Sequence, residues 1–187
     1  MSRINESLEF IPVRVAVLTV SDSRTLEDDR SGDVLVSRIA KAGHELAMRE
    51  IVTDEREEIA GVLRRWVADP GIDVVITTGG TGLTGRDVTV EAHRDVYEKE
   101  IEAFGTVFTI VSMNKIGTSA VQSRACGGVA GGTYLFALPG SPGACKDAWD
   151  EILKLQLDYR HRPCNFVEIM PRLDEHLRRA KAQGATV

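Results

Sequence analysis

Three features of this sequence predict an α/β fold: three layers, with a mostly parallel sheet carrying helices on both faces. Apolar β-rich runs alternate with amphipathic helical segments at least three times, the pattern of a parallel sheet built by crossovers. Two of these runs pass directly into glycine-rich turns, after Thr78 and after Leu138. The run "IDVVITT" is apolar and short, as a strand buried on both faces is.

The elements follow in order. "VRVAVLTV" (Val13–Val20) reads as a buried strand, and "SDSRTLEDDRSG" as a polar loop. "DVLVSRIAKAG" places Val34, Leu35, Ile39 and Ala42 near helical spacing, with Gly43 as its stop. "HELAMREIV" reads as a second strand. In "TDEREEIAGVLRRWVAD", Ile59, Leu63, Trp66 and Val67 fall on one helical face, and the following Pro70 ends the run. "IDVVITT" is the third strand. Beyond the glycine loop a helix is expected to open near Thr89 and run through "VEAHRDVYEKEI". "AFGTVFTIVSMNKIG" fits helix or strand, and "SAVQSRACGGVAGG" reads as a short helix ending in glycines. "TYLFALPGSPGACKDAWDEIL" repeats strand, glycine turn and helix. The tail after Pro163 is polar, with one loose helix expected at Arg172–Ala182.

The totals narrow the function. A chain of 187 residues fits one domain, 1–187, with its core at about 13–157 and a C-terminal tail. A domain of this size buries roughly 70% of the surface of its unfolded chain. A formal net charge of −5 argues against a general nucleic-acid binder. Cys126, Cys145 and Cys164 form no CxxC pair, which suits a reduced cytoplasmic protein. The four histidines lack zinc-ligand spacing. Neither a signal peptide nor a membrane span is expected.

The stretch "ITTGGTGLTGRDVT" carries the chemistry. Gly79, Gly80, Gly82 and Gly85 fall within seven positions at the end of a strand. Successive backbone N–H groups freed by glycine can converge on an anion, and a helix starting next would add its own N–H groups. Gly80 and Gly85 have P-loop spacing, but Arg86 and Asp87 stand where Lys and Ser/Thr hold phosphate and metal, so a P-loop NTPase is excluded. A tight βα turn without a ligand is the simpler alternative. In "LPGSPG", Pro139 and Gly140 make a turn, Ser141 is a good N-cap and Pro142 suits the first helical position. Capping alone explains Ser141, and its hydroxyl could also share a helix N-terminus with phosphate.

The carboxylates divide in the same way. Asp87 follows the glycine loop, where it either serves as a cap-region residue or carries Mg²⁺, which favours one or two carboxylates together with phosphate oxygens. Asp54 stands three residues before Glu57, a capping-box pattern that favours a structural role on spacing alone. Asp22 in "SDS" is read as closing the first strand. Arg86 suits either a phosphate contact or a solvated loop, and Cys126 suits a small packed residue.

The segments "TVSDSR", "TTGGTGLTGRDVTVEA", "GTSAVQSRACGGV" and "ALPGSPGACKDAW" together resemble the molybdenum cofactor biosynthesis domain of bacterial MogA and MoaB proteins and of the plant and gephyrin G domains. The resemblance spans roughly Val13 to Leu157, and "FIPVRVAVLTVSDSR" and "HRPCNF" look most like the MoaB branch. It implies Mg-ATP-dependent adenylylation of molybdopterin, with pyrophosphate released and a molybdate-inserting partner enzyme downstream.

The resemblance also assigns residues. It implies Asp54 and Asp87 as catalytic carboxylates that place Mg²⁺ or orient ATP, and so moves Asp54 from cap to site. Gly79, Gly80, Thr81 and Gly82 would hold phosphate, with Ser119, Gly140 and Ser141 near the pterin phosphate. A homotrimer or homohexamer is implied as well. The alternative is a non-catalytic molybdopterin carrier or scaffold in the same pathway, which need not keep both aspartates.

Overall fold

The computed structural model describes residues 3–182. A two-residue strand, β1 (Arg3–Ile4), pairs antiparallel with β8 (His161–Arg162) near the other end of the chain. Between them lie β2 (Arg14–Val20), β3 (Glu45–Val52), β4 (Val74–Thr78), β5 (Lys99–Glu100), β6 (Cys126–Ala130) and β7 (Thr133–Leu138). These six form one sheet in the order β3-β2-β4-β7-β6-β5, parallel from β3 to β7 and antiparallel at β6 and β5. The mostly parallel sheet expected from the sequence is therefore present.

The helices are α1 (Arg30–Lys41), α2 (Arg56–Val67), α3 (Thr89–Arg94), α4 (Glu102–Ile116) and α5 (Pro142–Ala148), the last continuing through a π-turn (Trp149–Leu153) into α6 (Lys154–Gln156). α7 (Phe166–Ile169) and α8 (Glu175–Ala182) complete the chain. The strands' period of two sorts side chains between two cores. Val15, Val17, Ile76 and Phe136 pack with Leu35 and Ile39 of α1, Phe108 of α4 and Trp149. Ala16, Leu18, Val75 and Leu135 pack with Ile59, Leu63 and Trp66 of α2 and Ala92 of α3. Each large side chain so buried contributes roughly 1.5–3 kcal/mol, so both helix layers are bound to the sheet. This places the carboxyl ends of β2, β3, β4 and β7 at one end of the molecule.

Several local readings change. The helix at Thr89 opens where expected but stops at Arg94; Val96 and Tyr97 still bond back to His93 O, and pairing with β6 begins with Glu98 N–H to Val129 O and Ile101 N–H to Gly127 O. The glycines of "ACGGVAGG" do not end a helix. A 3₁₀ turn (Gly117–Gln122) comes first, and Cys126–Ala130 is a fully buried strand. A Cβ on Gly128 would lie 2.4 Å from the Tyr97 ring, and one on Gly127 2.9 Å from Phe136, so these glycines admit aromatic rings. Gly131 (φ +56°) and Gly132 (φ +97°) then form the hairpin to β7. The ambiguous segment resolves as α4. In the tail, helix begins at Glu175, after a 3₁₀ turn at Met170–Arg172. Asn165 caps α7, and Phe166 packs 4.8 Å from Tyr134.

Candidate functional site

The loops leaving β2, β3, β4 and β7 meet at one edge of the sheet, and the two glycine turns touch. Gly79 N–H donates to Leu138 O (3.1 Å), and a Cβ on Gly140 would lie 3.1 Å from the Gly79 Cα. Gly79 (φ +103°) and Gly80 (φ +62°) have left-handed backbones that L side chains adopt at a cost. A Cβ on Gly79 would come within 2.2 Å of Val20 O. Gly79 is therefore required by the packing of β2 against the loop. Gly80 is crowded by side chains instead: its Cβ would meet Thr89 Oγ1 at 2.4 Å and Asp54 Oδ1 at 2.8 Å. Gly85 has ordinary φ and open space around it.

The loop's backbone donors are largely unspent. The N–H groups of Gly80, Thr81 and Leu83 reach no acceptor among the described residues. Thr89 Oγ1, beside Gly80, is also buried without a hydrogen-bond partner. An anion would satisfy such donors. The expected helix, α3, does open directly after the loop, and its first N–H, on Thr89, is taken by Gly80 O at 2.9 Å.

The capping box predicted for Asp54 does not form. The N-cap of α2 is Glu55, and no side chain caps it. Asp54 instead donates its backbone N–H to Asp22 Oδ1 (3.0 Å), which leaves its half-buried carboxylate beside Gly80. Asp87 lies across the loop, where Oδ2 accepts from the Thr84 N–H (2.8 Å) and hydroxyl (2.7 Å). The two carboxylates are tuned in opposite directions. Burial and then the neighbouring Asp22 charge raise Asp54 above the usual carboxylate range, while the Thr84 hydroxyl holds Asp87 below it. Neither is ion-paired among the described residues.

Arg86, read as a phosphate contact or a solvated side chain, is committed elsewhere. It binds Asp22 (2.9 Å) and Glu55 (2.6 Å), bridging the loops after β2 and β3. Ser141 caps α5 by accepting from Ala144 N–H (3.1 Å), and its hydroxyl hydrogen remains available. Ser119 is exposed in the 3₁₀ turn and makes no hydrogen bond to the glycine loop. Two residues beyond that turn, Arg124 binds the loop: its Nε donates to Thr81 O (2.9 Å) and Gly82 O (3.0 Å). Sequence reasoning missed Arg124, because nothing in "QSRACGG" places it against a loop some forty positions earlier.

Mg²⁺ keeps several waters and takes one or two carboxylates along with phosphate oxygens. Asp54 and Asp87, uncommitted to any cation and set beside unspent anion donors, fit that requirement. No cluster of three or more His, Cys, Asp or Glu side chains able to hold a metal ion occurs among the described residues. A cavity of about 600 Å³ lies between the ends of β2 and β3, lined by Ser21, Asp22, Arg24, Ile51 and Thr53. A second, of about 620 Å³, lies at the opposite end of the strands near Asp73, Thr133 and the Gly131–Gly132 hairpin, and neither glycine turn nor Asp54 or Asp87 lines it. No helix among the described residues is long and apolar enough to cross a membrane.

Fold and site together define an α/β domain whose carboxyl edge carries a glycine loop with unspent backbone donors and two flanking carboxylates. The family described as "Probable molybdopterin binding domain" matches residues 16–159, and the chain belongs to it, as a molybdenum cofactor biosynthesis protein of the MoaB/MogA type. It is 48% identical to molybdenum cofactor biosynthesis protein B of Escherichia coli over 160 residues, 86% of this chain and 94% of that one. A crystal structure of a molybdenum cofactor biosynthesis protein B superposes with TM-score 0.80 at 37% identity, covering 88% of this chain and 98% of the other. The tungsten cofactor synthesizing protein MoaB from Pyrococcus furiosus superposes with TM-score 0.68 at 34% identity, covering 76% and 91%.

Proposed function

We propose that the protein transfers AMP from Mg-ATP to the terminal phosphate of molybdopterin and releases pyrophosphate. The observation that carries this reading is the pair Asp54 and Asp87, free of cationic partners, flanking a glycine loop whose N–H groups are unspent. A carrier that only held the pterin phosphate would gain nothing from two nearby carboxylates, since like charges repel.

An oxygen of the pterin phosphate attacks the α-phosphorus of ATP. The new P–O bond forms as the bond from that phosphorus to the pyrophosphate oxygen breaks, and pyrophosphate leaves with the electron pair. Catalysis of this kind is positioning and charge stabilisation. Gly79, Gly80, Thr81 and Gly82 shape a backbone cradle for one phosphate group. Asp54 and Asp87 would hold Mg²⁺, which when bound offsets the charge gathered on the phosphates. Ser141, and Ser119 from the 3₁₀ turn, supply hydroxyl donors toward the pterin phosphate. The product suits a molybdate-inserting partner enzyme.

The protein also acts as a homo-oligomer, a trimer or hexamer, through the outer face of α4. That helix is apolar almost all round, yet Ile110 and Ile116 are more than half exposed, and Val121 in the 3₁₀ turn that follows it is 76% exposed. Sedimentation of the unmutated protein and of Ile110→Glu tests this, and a monomer in both would sink it.

The functional test is single-turnover formation of adenylylated molybdopterin with Mg-ATP, in the unmutated protein and in Asp54→Asn and Asp87→Asn. Each variant is expected to lose transfer by at least about 100-fold while pterin binding survives. Tight pterin binding without transfer in the unmutated protein would establish the carrier role instead.

A further inference from the structure

We propose that Arg124 is the positioning residue of the glycine cradle, aiming its N–H groups at the bound phosphate without touching that phosphate itself. The inference rests on the adenylyl-transfer reading for its kinetic consequence, but the geometry is independent of it. Arg124 Nε donates to Thr81 O (2.9 Å) and Gly82 O (3.0 Å), and Nη2 to Asp87 O (3.0 Å). Glu91 of α3 accepts from both Nη1 and Nη2. Of the five guanidinium N–H groups, four are therefore committed. One side chain holds both ends of the loop, Thr81 and Gly82 at its start and Asp87 at its close.

The consequence follows from peptide geometry. In a planar trans peptide the C=O and the next N–H point in opposite directions. Drawing the carbonyls of Thr81 and Gly82 toward Arg124 turns the N–H groups of Gly82 and Leu83 away from it. The Leu83 N–H then reaches no protein acceptor among the described residues, and the Gly82 N–H leans toward the Asp87 carboxylate. Without Arg124, a loop so rich in glycine has many other backbone conformations open to it, and most of them scatter these donors. Glu91 fixes the guanidinium plane, and the Arg124 hydrogen bonds hold Glu91 below its usual pKa range. Arg124 stands two positions beyond the 3₁₀ turn, so the same contact anchors the chain leaving that turn to the loop.

The test uses Arg124→Lys, Arg124→Gln, Glu91→Gln and the Arg124→Gln/Glu91→Gln double variant, each checked by thermal melt. Lysine keeps the charge but not the planar fork, so it should not rescue. We expect kcat for AMP transfer to fall about 100-fold in Arg124→Gln and at least about tenfold in Arg124→Lys at saturating substrates, and pyrophosphate affinity by calorimetry to fall about tenfold. Glu91→Gln should show a smaller loss in the same direction. The double variant should be no worse than Arg124→Gln, since the two residues act as one unit. Unchanged pyrophosphate affinity and kcat in a folded Arg124→Gln would overturn the proposal. Stronger transfer or tighter pyrophosphate binding in Glu91→Gln would overturn it too, because a released Arg124 would then be a direct phosphate ligand. If the unmutated protein transfers no AMP, the enzymatic reading fails, but the pyrophosphate titrations still decide the role of Arg124.

Discussion

Gly80→Ala tests the cradle most directly. Gly80 has φ +62°, a conformation costing an L-residue about 1–2 kcal/mol. The added methyl would lie 2.4 Å from Thr89 Oγ1 and 2.8 Å from Asp54 Oδ1. Asp54 can turn away, but Thr89 is fully buried and its N–H is bonded to Gly80 O, so it cannot retreat freely. Overpacking of this kind costs about 1–3 kcal/mol. A total near 3 kcal/mol, at about 2–4 °C per kcal/mol for a domain of this size, predicts a melting temperature lower by about 6–12 °C. Because the methyl displaces Asp54 and fills the space beside it, pyrophosphate affinity should fall by at least about tenfold. Gly85→Ala is the control: it has ordinary φ and nothing within 4 Å, so it should be neutral or stabilise by about 0.4–1 kcal/mol with ligand binding intact. The assays are calorimetric titration with pyrophosphate and a thermal melt. A folded Gly80→Ala that binds pyrophosphate as tightly as the unmutated protein would refute the cradle.

Four further outcomes follow from the site. Removing Mg²⁺ with a chelator should abolish AMP transfer while leaving most pterin affinity, measured by fluorescence titration; full activity in chelator would end the metal role. Asp54 must be ionised to hold Mg²⁺, and burial and the Asp22 charge raise its pKa, so transfer should fall as pH drops through that raised value. Asp22→Asn should move this acidic limb to lower pH in a pH–rate profile, and an unmoved limb would exclude Asp54 as its source. The stability effect has the opposite sense: a raised folded pKa favours the fold below the unfolded pKa, and that benefit is lost as pH rises through the folded pKa. Asp54→Asn should therefore raise the melting temperature at neutral pH relative to acidic pH. Ser141→Ala removes the N-cap of α5 and should cost about 1 kcal/mol in denaturant unfolding, with the loss of transfer exceeding the loss of stability if the hydroxyl also meets phosphate.

Much of the fold is legible in the sequence, because local rules govern it. The apolar runs at β2, β4 and β7, the amphipathic face of α2 and the Ser141-Pro142 start of α5 need only side-chain pattern and backbone chemistry. Where prediction and structure part, a distant partner decides. Residues 98–101 leave the helical path because β6 offers backbone hydrogen bonds, and Gly127 and Gly128 belong to a strand because rings from Phe136 and Tyr97 lie over them. The capping-box spacing at Asp54 yields to the bond that Asp22 makes with its backbone, from a loop 32 residues away in sequence.

By itself, then, the sequence determines the α/β architecture, the two glycine turns at strand ends and the residue types gathered there. Periodicity and turn chemistry act within a few positions, so they can be read along the chain. Only the tertiary structure decides that Gly79 rather than Gly85 is sterically required, that Arg86 is spent on Asp22 and Glu55, and that Arg124 binds the glycine loop. Those facts depend on which loops the parallel sheet brings to its carboxyl edge, and close approach between residues far apart in the chain leaves no period in the sequence to read.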